Sequence, residues 1–481
     1  MKKSVKVNYI YNMLYQLLVI ILPIITTPYV ARVLQAKGNG IYGYTISIVT
    51  YFILFGSLGI NLYGQREIAY YQNDKEKRSK IFFELLLLKT LTMFLSAVVF
   101  YFVFCLKGSY SLYYKILLLE MFANVIDISW FFQGMEDFKK IAIRNFIIKL
   151  ICVLSIFLFI KGPGDISKYL LIHVSCTVFG SLLLWPSIFK YVSKPKELSI
   201  FKHIPFTITL FVPQIAIQIY TVLDKTMIGV ILHDMDEVGY YEQSQKIIKI
   251  LLTVITAVGT VMLPRIASCF AENNFEQIKK YMYKTFSFVF ALAFPLMLGL
   301  IVVSSNFVPL FFGQGYDAVT IIMRVLSLIV LFISISNVTG TQYLLSTKRQ
   351  KEFTISVIVG AVVNFTFNLL LIKYYKSLGA AIATVIAECS VTVVQLLFVR
   401  KDFDIKKIFK LSINYIIASI IMFACCYGIG FLIHGRALCL ITQVICGIIV
   451  YGFILIIIKD KFLMDLYNEN IVPRLKKRRK K

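Results

Sequence analysis

The stretch Ile81-Phe-Phe-Glu-Leu-Leu-Leu-Leu-Lys-Thr-Leu-Thr-Met-Phe-Leu-Ser-Ala-Val-Val-Phe-Tyr-Phe-Val-Phe-Cys105 carries only two charges, Glu84 and Lys89. Roughly 20 apolar residues in a helix cross a 30 Å hydrocarbon layer, and this run is long enough to do so. Stretches of the same kind lie on both sides of it. Fourteen begin near Asn8, Ile41, Ile81, Ile116, Ile141, Tyr169, Phe206, Gln245, Tyr283, Val319, Phe353, Leu378, Lys410 and Leu438, with only short polar connectors between them. In lipid every backbone polar group must be satisfied within the protein, and runs of this length achieve that as helices. The chain therefore reads as all-α, a polytopic transmembrane helical bundle of about 14 spans.

Charge gives the orientation. Of the 51 Lys and Arg, 36 fall on the N-terminal arm, the even-numbered connectors and the C-terminal tail, 9 on the odd connectors, and 6 inside spans. By the positive-inside bias both termini are expected in the cytoplasm, and an even number of spans agrees in placing them on one side. The net charge of +26 then reflects topology and contact with anionic lipids at the cytoplasmic face, and no nucleic-acid partner is expected. The tail Arg474-Leu-Lys-Lys-Arg-Arg-Lys-Lys481 has the same reading. The first apolar stretch follows Lys2-Lys3 but is too long for a signal-peptide core, so it is expected to remain as span 1.

Enzymatic chemistry finds little support. The external connectors are short, and the acidic cluster Asp234-Met-Asp-Glu237 reads as a solvated face. No P-loop glycine pattern occurs, which argues against direct ATP coupling. Nine scattered cysteines and four dispersed histidines lack metal-ligand spacing, so neither metal nor cofactor is expected. Movement is the remaining function for such a molecule.

Two weak internal echoes appear. Arg32-Val-Leu-Gln-Ala-Lys-Gly-Asn-Gly-Ile-Tyr-Gly43 leads into span 2 much as Gly229-Val-Ile-Leu-His-Asp-Met-Asp-Glu-Val-Gly-Tyr-Tyr241 leads into span 8. Gln133-Gly-Met-Glu-Asp-Phe-Lys-Lys140 and Ser346-Thr-Lys-Arg-Gln-Lys-Glu352 form basic turns after spans 4 and 10. Offsets near 199 and 212 imply six spans per repeat, and an even repeat keeps its orientation. The expected organisation is two six-helix lobes, 1–205 and 206–400, related by a pseudo-two-fold axis along the membrane normal. Residues 401–481 add two helices and the basic tail.

Several stretches resemble a known family. Pro28-Tyr-Val-Ala-Arg-Val-Leu34, Gly38-Asn-Gly-Ile-Tyr42 and Gly64-Gln-Arg-Glu-Ile-Ala69 are similar to the opening of the polysaccharide repeat-unit flippases of the multidrug and oligosaccharidyl-lipid exporter superfamily. Asp127-Ile-Ser-Trp-Phe-Phe-Gln-Gly134, Leu223-Asp-Lys-Thr-Met-Ile-Gly229 with Val238-Gly-Tyr-Tyr241, and Leu378-Gly-Ala-Ala-Ile-Ala-Thr-Val-Ile-Ala-Glu388 resemble its spans 4, 7 and 12. One departure is Gln35, where that family usually has glycine. The resemblance implies a flippase in the bacterial plasma membrane that turns an undecaprenyl-pyrophosphate-linked oligosaccharide outward for capsule or another surface polysaccharide, beside other polysaccharide-assembly membrane proteins. It also implies two lobes facing across a V-shaped cavity, with no enzymatic step.

Polar residues inside spans are costly and point to a cavity or a partner helix. Gln214, Gln218, Thr221 and Lys225 share one face of span 7, with Asp224 beside them, and Lys246, Lys249, Thr253, Thr256 and Thr260 share a face of span 8. Span 12 shows Thr384, Glu388, Thr392 and Gln395, span 11 has Asn364 and Asn368, and span 1 has Asn8, Asn12 and Gln16. Two readings stand: a hydrated lining for sugar hydroxyls, or polar glue between helices. For cations the first is favoured, since a mid-span Lys or Arg costs about 2.5 to 3.5 kcal/mol on insertion scales. Lys89 and Lys149 rank first, followed by Lys225, Lys249 and Arg324, with Arg32 and Arg66 at membrane ends. Asp127, Asp224 and Glu388 are the embedded carboxylates, either coupling-ion sites or partners of nearby cations. The main rival is a drug or cation antiporter of the same superfamily, for which the first lobe offers Glu84, Glu120 and Asp127. A membrane-embedded polymerase or transferase is a second rival, and a nonspecific channel or scaffold the last.

Overall fold

The computed structural model describes residues 5–460 with Phe462 and Met464, apart from the side chains of residues 5–20, 212, 213, 216, 217, 219, 220, 260 and 261. The side chains of Asn8, Asn12, Gln16 and Thr260 and the tail Arg474–Lys481 therefore lie outside the described residues. Helices follow one another along the chain: α1 (Val5–Ser57), α2 (Ile60–Tyr70), α3 (Lys75–Phe100), α4 (Ser111–Ile126), α5 (Ser129–Gly134), α6 (Phe138–Phe159), α7 (Ile166–Leu182), α8 (Trp185–Ile188), α9 (Ile204–Leu232), α10 (Met235–Ala271), α11 (Phe275–Phe311), α12 (Asp317–Leu326), α13 (Ile329–Ser336), α14 (Gln350–Val399), α15 (Ile405–Leu432) and α16 (Arg436–Ile457). No strand occurs among the described residues.

Among the described residues, eleven helical segments are long and apolar enough to cross a membrane. The difference from the expected fourteen has physical causes. Two of the eleven, Ile21–Ser57 and Gln350–Val399, run through single-residue breaks at Gln35 (φ 59°, ψ −176°) and Lys376 (φ 53°, ψ −134°). These breaks lie where the sequence predicts one span to give way to the next, so a connector expected as a short loop is a kink of one residue. The predicted seventh span falls on α9, part of whose side chains lie outside the described set.

Packing divides the chain into two compact units, Met1–Gly239 and Tyr240–Lys481. This division differs from the boundary near residue 205 that the sequence echoes lead one to expect, since α9 packs within the first unit. There, Val30, Leu34 and Val49 of α1 meet Met93 and Phe100 of α3, Tyr114 and Leu117 of α4, and Leu170 and Val174 of α7. A second core joins Ile60 and Tyr63 of α2, Phe82 and Leu85 of α3, and Trp130, Phe131 and Phe132 of α5. In the second unit Val302 of α11 packs against Met422 and Cys426 of α15, with Val450 and Tyr451 of α16 at the edge. Lipid tails are as apolar as leucine, so such contacts hold by close fit rather than by exclusion of water. Gly40 and Gly239 illustrate the fit: a Cβ on Gly40 would lie 1.7 Å from the Met235 carbonyl oxygen, and one on Gly239 would lie 2.1 Å from that of Ala36.

Turn chemistry recurs at the spacing of the two sequence echoes. Gln35 and His233 both adopt positive φ (59° and 52°), and so do Glu136 and Lys348 (55° and 61°). The latter two occupy matching helix ends. The Asp137 N–H donates to Phe132 O at 2.8 Å and the Arg349 N–H donates to Leu344 O at 2.8 Å, the wide bond of a Schellman cap in each case. Asp74 and Asn274 both cap helices, accepting from Lys77 N and Gln277 N at 3.0 Å.

Candidate functional site

Span 4 is broken. Helix α4 ends at Ile126, Asp127 is extended (ψ 110°), and α5 begins at Ser129. A break inside a membrane segment exposes carbonyls that lipid cannot satisfy, so side chains must do it. The indole Nε1 of Trp185 donates to Ile126 O at 2.9 Å. The Lys89 ammonium donates to Asp127 O at 3.3 Å and to Asn61 Oδ1 at 3.1 Å. On the other side of the break, the Asp127 carboxylate accepts from the Ser129 N–H at 3.1 Å and from the Ser129 hydroxyl at the start of α5.

The break opens onto a cavity of about 300 Å³ among α4, α6 and α7. Arg144 and Lys149 of α6 face Glu120 of α4 and Asp127, with Asn124, Asn145, His173 and Thr177 completing the polar wall. The Arg144 Nη1 lies 3.3 Å from Asp127 Oδ1, and its Nε and Nη2 donate to Asn145 Oδ1 at 3.0 and 2.7 Å. Two cations and two carboxylates thus share one cavity inside a membrane bundle. A guanidinium with a flanking amide can grip a carboxylate or a phosphate in the same fork geometry.

The structure places the expected residues unevenly. Asp127 and Lys149 line the cavity together. Lys89 does not line it: its side chain is fully buried, 0 % exposed, and braces the floor of the break from behind. The Asp127 carboxylate is held by Arg144, an ion-pair partner that sequence reasoning missed because Arg144 sits within the first two turns of α6 and counts as a connector cation. Glu120 and Asn124 were also missed as lining residues, although they stand four and three residues apart on the way to Asp127; Asn145 comes to them from another helix, which no spacing shows.

Elsewhere several of the embedded polar groups bond to neighbouring helices. Arg324 donates through Nε to Ser304 Oγ at 2.8 Å and to Ile301 O at 3.2 Å, and through Nη2 to Ser305 Oγ, tying α12 to α11. Asn364 is fully buried and accepts from Asn368 Nδ2 at 3.0 Å. The span 12 residues join neighbouring helices: Thr339 donates to Gln395 Oε1 at 2.6 Å, Gln395 Nε2 donates to Ser356 Oγ at 3.0 Å, and Thr392 donates to Phe332 O at 2.9 Å. Glu388, Asp224 and Lys225 are buried, and each has polar partners. The Thr221 hydroxyl donates to Gln218 O and that of Thr253 to Lys249 O, both at 2.8 Å within their own helices. Lys249 and Arg32 are exposed, Gln214 and Gln218 half-buried. Arg66 pairs with Glu67 at 3.2 Å and lies 5.2 Å from the centre of the Tyr63 ring. Glu84, fully buried, is engaged by the connector before α9: it accepts from Ser199 N at 2.7 Å, and its Oε2 lies 2.9 Å from both Lys202 Nζ and His203 Nε2.

Against known proteins, residues 5–270 match the family described as polysaccharide biosynthesis protein. The chain belongs to that family. Residues 169–446 also match the family described as lipid II flippase MurJ. A protein of Escherichia coli (strain K12) described as an O-antigen transporter is 26% identical over 412 residues, covering 83% of this chain and 98% of its own. Among solved structures, lipid II flippase MurJ in an inward closed conformation superposes with a TM-score of 0.74 at 21% identity, covering 97% of this chain and 99% of that one. An inward-facing multidrug transporter of the MATE family superposes at 0.62 and 14% identity, covering 78% and 91%. This polysaccharide biosynthesis protein is accordingly a multi-pass membrane transporter of the flippase type, not an enzyme, and its fold is that of the exporter superfamily its sequence resembles.

Proposed function

We propose that this protein turns an undecaprenyl-pyrophosphate-linked oligosaccharide repeat unit from the inner to the outer leaflet of the bacterial plasma membrane, by alternating access, for assembly of capsule or another surface polysaccharide. The observation that carries the reading is the Arg144–Asp127 pair beside Lys149 at a broken membrane helix. An incoming pyrophosphate offers Arg144 a second anion in place of Asp127, so the guanidinium stays paired while cargo enters and leaves. Asn124, Asn145 and Thr177 supply the amides and hydroxyl that replace water around sugar. Carrying a doubly negative headgroup outward gains roughly 4 to 5 kcal/mol at 100 mV if the protein's charges stay in place, so the membrane potential supplies a drive. The O-antigen and lipid II names of its relatives support the cargo class. Two six-helix halves, 1–205 and 206–400, form the proposed working parts, supported by the recurrence of turns at Gln35 and His233 and at Glu136 and Lys348. Residues 401–481 supply the two additional helices and the tail.

The test is reconstitution of the purified protein in vesicles loaded with a fluorescent polyprenyl-pyrophosphate oligosaccharide. Arg144→Ala and Lys149→Ala are each expected to lower flipping by tenfold or more, since a charge-assisted hydrogen bond contributes about 1.5 to 3 kcal/mol. Full flipping by both variants would overturn the reading. Export of a cationic dye by the native protein, abolished by Glu120→Gln, would establish the antiporter instead.

A further inference from the structure

Helices α11 and α15 enter the second unit side by side, and each begins with lysines at helical spacing. On α11, Lys280 and Lys284 lie one turn apart with Ser287 above them, and Lys279 is beside them; on α15, Lys407, Lys410 and Asn414 follow at steps of three and four. These two faces line a cavity of about 1230 Å³ closed by Asp460 and Phe462 after α16. Five cations therefore meet three carboxylates, Glu276, Asp404 and Asp460. Two of the carboxylates are committed. Asp404 caps α15 by accepting from Lys407 N at 3.2 Å, and Asp460 accepts from Tyr415 Oη at 3.1 Å and from Asn414 Nδ2 at 3.3 Å. Glu276 stands in the first turn of α11, where the helix dipole favours it. The Lys407 ammonium rests 4.4 Å from the centre of the Tyr283 ring, whose hydroxyl accepts from Asp404 N at 3.2 Å, so the wall is ordered. The two helix N-termini add further positive potential at the same end.

An apolar stripe adjoins the cavity. Phe409, Ile413, Ile417 and Ile420, at steps of four, four and three along α15, are all exposed, starting beside Lys410. A ligand suited to this surface has phosphate at one end and long hydrocarbon at the other. We propose that the α11–α15 cavity is a binding site for the headgroup of an anionic phospholipid, with its acyl chains lying along the α15 stripe. Basic pockets between membrane helices on the cytoplasmic side take such headgroups, and two-phosphate lipids fit the size and charge of this one. The site shares no lining residue with the Arg144 cavity, and the proposal does not depend on which cargo that cavity accepts.

The test uses the purified full-length protein in neutral detergent, with native mass spectrometry and thermal melting as readouts. Cardiolipin or phosphatidylglycerol is expected to bind and raise the melting temperature, and phosphatidylcholine is not. The triple variant Lys280→Gln, Lys284→Gln, Lys410→Gln is expected to melt like the native protein in phosphatidylcholine and to lose affinity for the anionic phospholipids by tenfold or more. Equal binding of phosphatidylcholine, or unchanged affinity in the variant, would overturn the proposal. So would inorganic pyrophosphate binding as tightly as the lipids, which would indicate a soluble-phosphate site, or polyprenyl pyrophosphate displacing them through the same lysines, which would indicate a cargo site. If the variant does not fold, a photoreactive phosphatidylglycerol decides on the native protein: crosslinks within 279–287 and 407–414 support the site, and crosslinks confined elsewhere refute it.

Discussion

At the scale of single residues, two lysines of the same helical bundle do opposite work. Lys149 reaches a polar cavity, whereas Lys89 is sealed behind it and spends its donors on Asn61 and on the carbonyl that the break at Asp127 leaves without a helical partner. Removing a donor from buried acceptors costs about 1 to 3 kcal/mol each, more where charge is involved. Lys89→Ala is therefore expected to lower the melting temperature in detergent and the amount of protein recovered from membranes, and Lys149→Ala to leave both near the native values. Equal melting of the two variants would show that Lys89 is not a structural brace. Both lysines stand out in the sequence as deep cations in apolar runs. Their division of labour does not, because it depends on α4 breaking at Asp127, which no proline or glycine announces.

At the scale of elements, the connectors between spans are shorter than their polarity suggests. Gln35 holds φ 59° and ψ −176°, a conformation that glycine reaches freely and a residue with a Cβ reaches at a cost of about 1 to 3 kcal/mol. Asn39 offsets part of that cost, its Nδ2 donating to Gln35 O at 2.7 Å and to Val30 O at 3.4 Å across the break. Glycine, the residue that resembling flippases usually carry there, should relieve the strain: Gln35→Gly is expected to raise the melting temperature by several degrees. Lys376→Gly, at φ 53° and ψ −134°, should act in the same direction. A fall in melting temperature for both would mean that the left-handed conformations are not strained in the protein.

At the scale of the whole molecule, the placement of 36 of the 51 cations on alternate connectors and tails predicts that both termini lie in the cytoplasm. A fluorescent protein fused at the C-terminus should therefore fold and emit, and a phosphatase that needs the periplasm should stay inactive there; the reverse pattern would invert the orientation. Sequence by itself determined the membrane class and the helical content, because hydrocarbon thickness and unsatisfied backbone groups act on each run of about 20 residues separately. It also picked out Asp127 and Lys149. Only the tertiary structure decided what those charges meet. Arg144 comes to Asp127 from another helix, Lys89 is turned away from the cavity, and the stripe of Thr392 and Gln395, which reads equally well as a lining, is consumed in bonds to Phe332, Thr339 and Ser356. Helical periodicity tells which residues share a face, but what that face opposes is set by contacts between segments far apart in the chain.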